Sequence, residues 1–122
     1  MAQGMLEHVN VTVSDPRRTA EMLERLFGWR IRWEGPAKFN GHTVHVGTDA
    51  AYVALWSHPG FRAADEGSRL NHIGVVVDDL DAAEQKVIAE GFVPQSHADY
   101  DPGRRFYFDD SDGIEFEVVS YA

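Results

Sequence analysis

The stretch Leu6-Glu7-His8-Val9-Asn10-Val11-Thr12-Val13-Ser14-Asp15 returns 64 positions later as Leu70-Asn71-His72-Ile73-Gly74-Val75-Val76-Val77-Asp78-Asp79. A leucine, a histidine, two valines and an aspartate recur in register. Each copy alternates like a half-buried strand and ends in an aspartate able to cap a helix. Outward from this pair the halves run in parallel. Residues 16–27 place Ala20, Leu23, Leu26 and Phe27 at helical spacing, with Pro16 suited to a first turn and Gly28 to a helix end. In the second half Leu80, Ala83, Val87 and Ile88 keep the same period, and Gly91 stops it. Three strand-like runs follow each helix, at 29–34, 42–47 and 51–57, then at 92–97, 104–109 and 114–119. Turn-rich connections fall at 35–41 and 98–103, and the Gly- and Pro-containing stretch 57–69 joins the halves. The pattern predicts an α+β fold, a single domain 1–122 of two tandem βαβββ modules, 1–61 and 62–122. Helices are expected on the outside of a curved mixed sheet that encloses a cleft.

Composition narrows the function. The chain has 122 residues, 43% apolar and 25% charged, which is ordinary for one globular domain. It has no cysteine, which excludes a disulfide scaffold, a thiolate metal site, an iron–sulfur cluster and a cysteine nucleophile. Eleven basic against 20 acidic residues give a formal charge of −9, so nucleic acid and anionic membranes are not expected partners. The start MAQGMLEHVN lacks a basic segment before an apolar run, and no apolar stretch is long enough to span a membrane. A cytoplasmic protein is expected.

Strand alternation separates the two faces of each sheet. Val9, Val11 and Val13 belong under the first helix, and His8, Asn10 and Thr12 face the other way. Likewise Ile73, Val75 and Val77 oppose His72, Gly74 and Val76, and Phe116 and Val118 oppose Glu115 and Glu117. Arg105, Tyr107 and Asp109 oppose Phe106 and Phe108. The sides away from the helices thus gather His8, His72, Glu115, Glu117 and Tyr107, and an ionisable sheet face in so small a chain predicts a cavity. Tyr52 and Trp56 share the face of Ala54 and would stack on a flat substrate. His42, His45, His58 and His97 read as surface or hydrogen-bonded histidines.

The two in-register histidines, together with the terminal run Phe106-Tyr107-Phe108-Asp109-Asp110-Ser111-Asp112-Gly113-Ile114-Glu115-Phe116-Glu117, resemble the vicinal oxygen chelate superfamily. That group holds glyoxalase I, bleomycin- and fosfomycin-resistance proteins and extradiol dioxygenases. Its metal ligands lie on the first and last strand of each module. The resemblance places His8 and His72 on the two first-strand positions and Glu117 on the last strand of the second module. The fourth position, a ligand in glyoxalase I, falls on Ala54, which cannot bind metal. Two histidines and a carboxylate leave positions open and suit Fe(II) or Mn(II), with Zn(II) or Ni(II) also admissible.

What the resemblance implies is a divalent-metal enzyme acting on a small oxygen-chelating substrate, by dioxygenase, isomerase, lyase or transferase chemistry. Tyr107 would be its acid/base, as a tyrosine is in extradiol dioxygenases, though no histidine stands near Ala51 where those enzymes carry a second acid/base. Asn10 occupies the place of a threonine in fosfomycin-resistance enzymes, and Arg105 falls in a loop region where they use serines. Asn10, Tyr52, Trp56 and Arg105 are the expected substrate pocket. Small members of the superfamily commonly pair so that two chains build each cleft, which implies a homodimer. The alternative is a metal-free drug-binding protein, as bleomycin-resistance proteins are.

Overall fold

The computed structural model describes residues 6–37, 39–60, 70, 72–100 and 103–122. The chain divides into two compact units, Met1–Ala63 and Ala64–Ala122. The first runs β1 (His8–Thr12), α1 (Pro16–Phe27), β2 (Arg30–Ala37), β3 (Gly41–Gly47) and β4 (Tyr52–Ser57). The second runs β5 (Ile73–Val76), α2 (Leu80–Ala89), β6 (Gln95–Tyr100), β7 (Gly103–Asp109) and β8 (Glu115–Ser120). Both units are βαβββ modules. Each carries a four-stranded mixed sheet, ordered β1-β4-β3-β2 and β5-β8-β7-β6. In each, the first strand lies parallel beside the last, and the remaining pairs are antiparallel.

The repeated aspartates do what their position suggests. Asp15 accepts the Arg18 amide at 3.1 Å and Asp79 accepts the Ala82 amide at 3.0 Å, so each caps its helix. Pro16 opens α1, and Gly28 closes it in the left-handed region, at φ 70°, with its amide on the Glu24 carbonyl. Thr19, Ala20, Met22, Leu23 and Leu26 of α1 are buried against the sheet side that carries Val44, Val46, Val53 and Leu55. In module two Leu80, Ala83 and Val87 of α2 are buried, as are Phe106, Phe108, Phe116 and Val118 of the sheet. Phe108 stacks on Phe116 with ring centres 5.1 Å apart.

Several expectations need correction. Ile88 is 47% exposed, because it lies one step round the helix from the buried Val87. Val9 also stays 37% exposed on the edge strand β1, so only Val11 and Val13 of its face are buried. The connection expected at 35–41 is mostly strand, with β2 running through Gly35 and Pro36 to Ala37. β2 is an edge strand, where a missing amide donor costs no ladder bond, so the proline did not end it. The connection expected at 98–103 is also shorter. Residues 98–100 belong to β6 and Gly103 opens β7, with Tyr100 paired to Gly103; residues 101–102 lie outside the described set. Residues 92–94 are not strand. The Phe92 amide bonds the Val87 carbonyl at 3.2 Å and closes the helix end, while its ring meets Phe108 at 5.6 Å. Of the expected joining stretch, residues 61–69 lie outside the described set. Among the described residues no helix is long and apolar enough to cross a membrane.

Candidate functional site

Register lays the non-helix face of module one out in rows. His8 pairs with Tyr52; Asn10 with Ala54, which pairs with His45, which pairs with Trp33; Thr12 with Trp56, which pairs with Thr43. Strand alternation puts these side chains opposite the helix. Six of them line a cavity of about 320 Å³. β1 contributes His8 and Asn10, β3 Thr43 and His45, and β4 Ala54 and Trp56, while Ala37 and Phe39 close the end by the β2–β3 turn. Among the described residues no aspartate, glutamate, lysine or arginine is in this lining. The Thr43 hydroxyl oxygen is buried without a hydrogen-bond partner among the described residues.

Tyr52 stands beside that cavity and does not line it. Its ring stacks on His8 at 4.8 Å and on His45 at 4.6 Å, and the Arg32 guanidinium lies 4.5 Å over it. Its hydroxyl donates to Glu7 Oε1 at 3.2 Å, and His8 Nδ1 is 2.9 Å from the same oxygen. A carboxylate only accepts, so Nδ1 carries a proton, and in the neutral imidazole Nε2 of His8 then keeps its lone pair. The bonds from His8 and Tyr52 hold the Glu7 carboxyl below its usual value. Burial, then the Glu7 charge, raise the Tyr52 phenol. Burial, then the positive charge of His8 and Arg32, lower His45.

In module two β8 carries Glu117 between Tyr107 of β7 and Gly74 of β5. His72 precedes β5, and its Nε2 lies 3.0 Å from Glu117 Oε1. Arg105 Nη1 donates to the other oxygen, Oε2, at 2.7 Å. The remaining Arg105 nitrogens are partly committed as well, with Nη2 donating to the Gly103 carbonyl at 3.0 Å. The guanidinium also lies 4.2 Å over the Tyr100 ring. Arg105 is 9% exposed, a buried residue whose charge is matched by Glu117. Tyr107 meets His72 edge-on at 5.9 Å. Burial, then the charge of Glu117, raise the Tyr107 phenol, so it is a proton donor at neutral pH.

The sequence-predicted residues therefore assemble by module. His72, Glu117, Tyr107 and Arg105 form one cluster; His8, Asn10 and Trp56 line the module-one cavity, with Tyr52 at its side. Among the described residues no three His, Cys, Asp or Glu side chains gather as a metal-binding group. The His72–Glu117 pair nevertheless fits an ion, since two ligands about 2.1 Å from one metal at roughly a right angle stand about 3 Å apart. Thr43, His45 and Phe39 were missed as lining residues. The alternation of buried Val44 and Val46 carries the signal for the first two, for it sends Thr43 and His45 to the Ala54 face.

Two βαβββ modules, each with a helix on one face of a mixed sheet and ionisable side chains on the other, define a duplicated α+β scaffold. Residues 5–118 match the Glyoxalase/Bleomycin resistance protein/Dioxygenase superfamily, and the chain belongs to it. Among solved structures it resembles a glyoxylase/bleomycin resistance protein/dioxygenase domain from Frankia sp. EAN1pec, at 21% identity and TM-score 0.83, covering 98% of this chain and 93% of that one. It also resembles the fosfomycin resistance protein FosX from Mesorhizobium loti, at 26% identity and TM-score 0.75, with 98% and 92% covered. A third is FosX from Listeria monocytogenes, solved with Mn(II) and sulfate, at 20% identity and TM-score 0.77, with 98% and 93% covered. No curated protein matches the chain.

Proposed function

We propose that this protein is a divalent-metal-dependent enzyme acting on a small molecule that chelates through oxygen. The observation that carries the reading is the 3.0 Å approach of His72 Nε2 to Glu117 Oε1. His8 is the third ligand. Its Nδ1 bond to Glu7 is the carboxylate support that metal-bound histidines characteristically have, and it leaves Nε2 to bind. Small members of the superfamily commonly build each cleft from two chains, and we assign this chain to a homodimer on that ground. Fe(II) or Mn(II) suits two imidazoles and one carboxylate best, with Zn(II) or Ni(II) as the alternatives. Such an ion, when bound, supplies Lewis acidity to a substrate oxygen or a binding position for dioxygen.

The chain's own residues do the rest. Arg105 holds Glu117 Oε2, which leaves Oε1 as the donor turned to His72. Tyr107, kept protonated, donates to an oxygen that gains charge during the reaction. Asn10 and Trp56 contact the substrate, and Tyr52 orients His8 by stacking on it. Dioxygenation, isomerisation or lysis of a carbonyl compound and nucleophilic opening of an activated carbon all fit this set. Elemental analysis of protein purified without chelator or affinity metal tests the reading, with about one Fe, Mn, Zn or Ni per chain expected.

One observation favours a second reading. Both Glu117 oxygens already have protein partners, His72 and Arg105, so the cluster is satisfied without an ion. A metal-free binder that sequesters an aromatic small molecule in the module-one cavity accounts for that. Protein that carries no transition metal, and takes none up, would favour it.

A further inference from the structure

We infer that the module-one cavity binds an uncharged flat aromatic compound of one or two fused rings, with Thr43 reading a hydroxyl or carbonyl oxygen on it. The inference deepens the reading above by naming the substrate class of its pocket, and it rests on that reading for calling the ligand a substrate.

Three independent observations carry it. The first is size and lining. About 320 Å³ is roughly twice the cavity that accepts benzene and falls within the range of small-molecule sites. Among the described residues the walls are Trp56, Phe39 and the histidine rings, with no carboxylate, ammonium or guanidinium. In metal-free protein an anionic ligand would find no permanent positive charge among these described side chains.

The second is Thr43. It is 8% exposed and stands on the cavity face of β3, yet its hydroxyl has no partner among the described residues. Buried polar groups are almost always paired, so this hydroxyl is a vacant half of a hydrogen bond. A hydroxyl both donates and accepts, so it suits either a phenolic hydroxyl or a carbonyl.

The third is Phe39. Its φ of 59° and the 57° of Asn40 put both residues in the left-handed region, which favours Asn or Gly and disfavours phenylalanine. Phe39 is also 78% exposed, so burial within the chain does not offset that strain. Its ring meets Trp56 at 6.4 Å, at the cavity end. A strained, exposed aromatic beside a cavity is accounted for by a ligand that packs on it.

The probe is 2-naphthol, with naphthalene and naphthalene-2-sulfonate beside it, titrated into the full chain in EDTA and followed by amide chemical shifts. The expected result is saturable binding that shifts module-one amides, with 2-naphthol favoured over naphthalene by about tenfold and the sulfonate weakest. Thr43→Val keeps shape and strand preference, so it should leave the melting temperature unchanged or higher and erase the preference for the hydroxyl. Phe39→Gly relieves the turn and should weaken both neutral ligands several-fold while keeping the preference. Absence of 2-naphthol binding at millimolar concentration, an unchanged preference in Thr43→Val, or tighter binding of the sulfonate would each overturn the inference. Because EDTA is present, a chain that binds 2-naphthol but no metal sinks only the metal reading, and a chain that binds metal but no naphthol sinks only this one.

Discussion

Glu117 has its two oxygens divided between a cation and an imidazole, and the division matters more than either bond alone. Arg105 takes Oε2 and His72 approaches Oε1, so the carboxylate presents one oxygen and not two. An alanine at 117 would leave the buried Arg105 with neither countercharge nor acceptor, whereas a glutamine keeps a carbonyl oxygen for it, so glutamine probes the ligand role more cleanly. In module one the informative residue is His45. Burial, with help from the charge of His8 and Arg32, holds its pKa below the ordinary 6.5. The unfolded chain therefore takes up a proton near that ordinary value while the folded chain resists it. Stability is intact above this range and falls as pH drops through it. In metal-free protein, His45→Gln should shrink the loss in urea midpoint between pH 7.5 and 5.5. An unchanged loss would mean that His45 does not carry that acid sensitivity.

At the scale of elements, close approach of β3 to β4 sets the stack of His8, Tyr52 and His45. A Cβ on Gly47 would lie 2.3 Å from the Ala51 carbonyl oxygen and 2.6 Å from Tyr52 Cα, both backbone atoms with no freedom to yield. Gly28 differs, since nothing lies within 4 Å of its added Cβ and only its φ of 70° is at stake. Gly47→Ala should cost about 3 kcal/mol in urea unfolding and Gly28→Ala about 1 kcal/mol. Equal costs would show that strand approach is not what requires Gly47. The helices were legible because their ends are local chemistry: Asp15, Pro16 and Gly28 act within a single turn. The extents of β2 and β6 were not, because Pro36 and the Pro102-Gly103 pair carry turn signals whose effect depends on strand position. Both strands turn out to be sheet edges, and sheet order is a tertiary fact. The face of each side chain was legible from alternation, and its partner was not. Nothing in the sequence says that Arg105 spends its charge on Glu117, or that Thr43 is left without a partner.

Across the whole molecule, a histidine at or just before the start of a module's first strand is used twice, under a net charge of −9. Each module keeps the same strand order and the same aspartate cap, yet their inner faces have diverged. Module one's face is rich in aromatic rings and carries Ala54, while module two's carries a carboxylate, a histidine and a phenol. On the proposed reading, module one holds the organic part of the substrate and module two supplies most of the groups that act on its oxygen. The central claim is that His72 and Glu117 are metal ligands. The most direct test is to titrate EDTA-stripped, dialysed protein with Mn(II) and follow the loss of the free-ion six-line EPR signal, comparing wild type with His72→Ala and Glu117→Gln. The account predicts about one Mn(II) bound per wild-type chain and at least tenfold weaker binding in both variants. Wild-type protein that leaves the free-ion signal intact at millimolar Mn(II), or variants that bind as the wild type does, would contradict it.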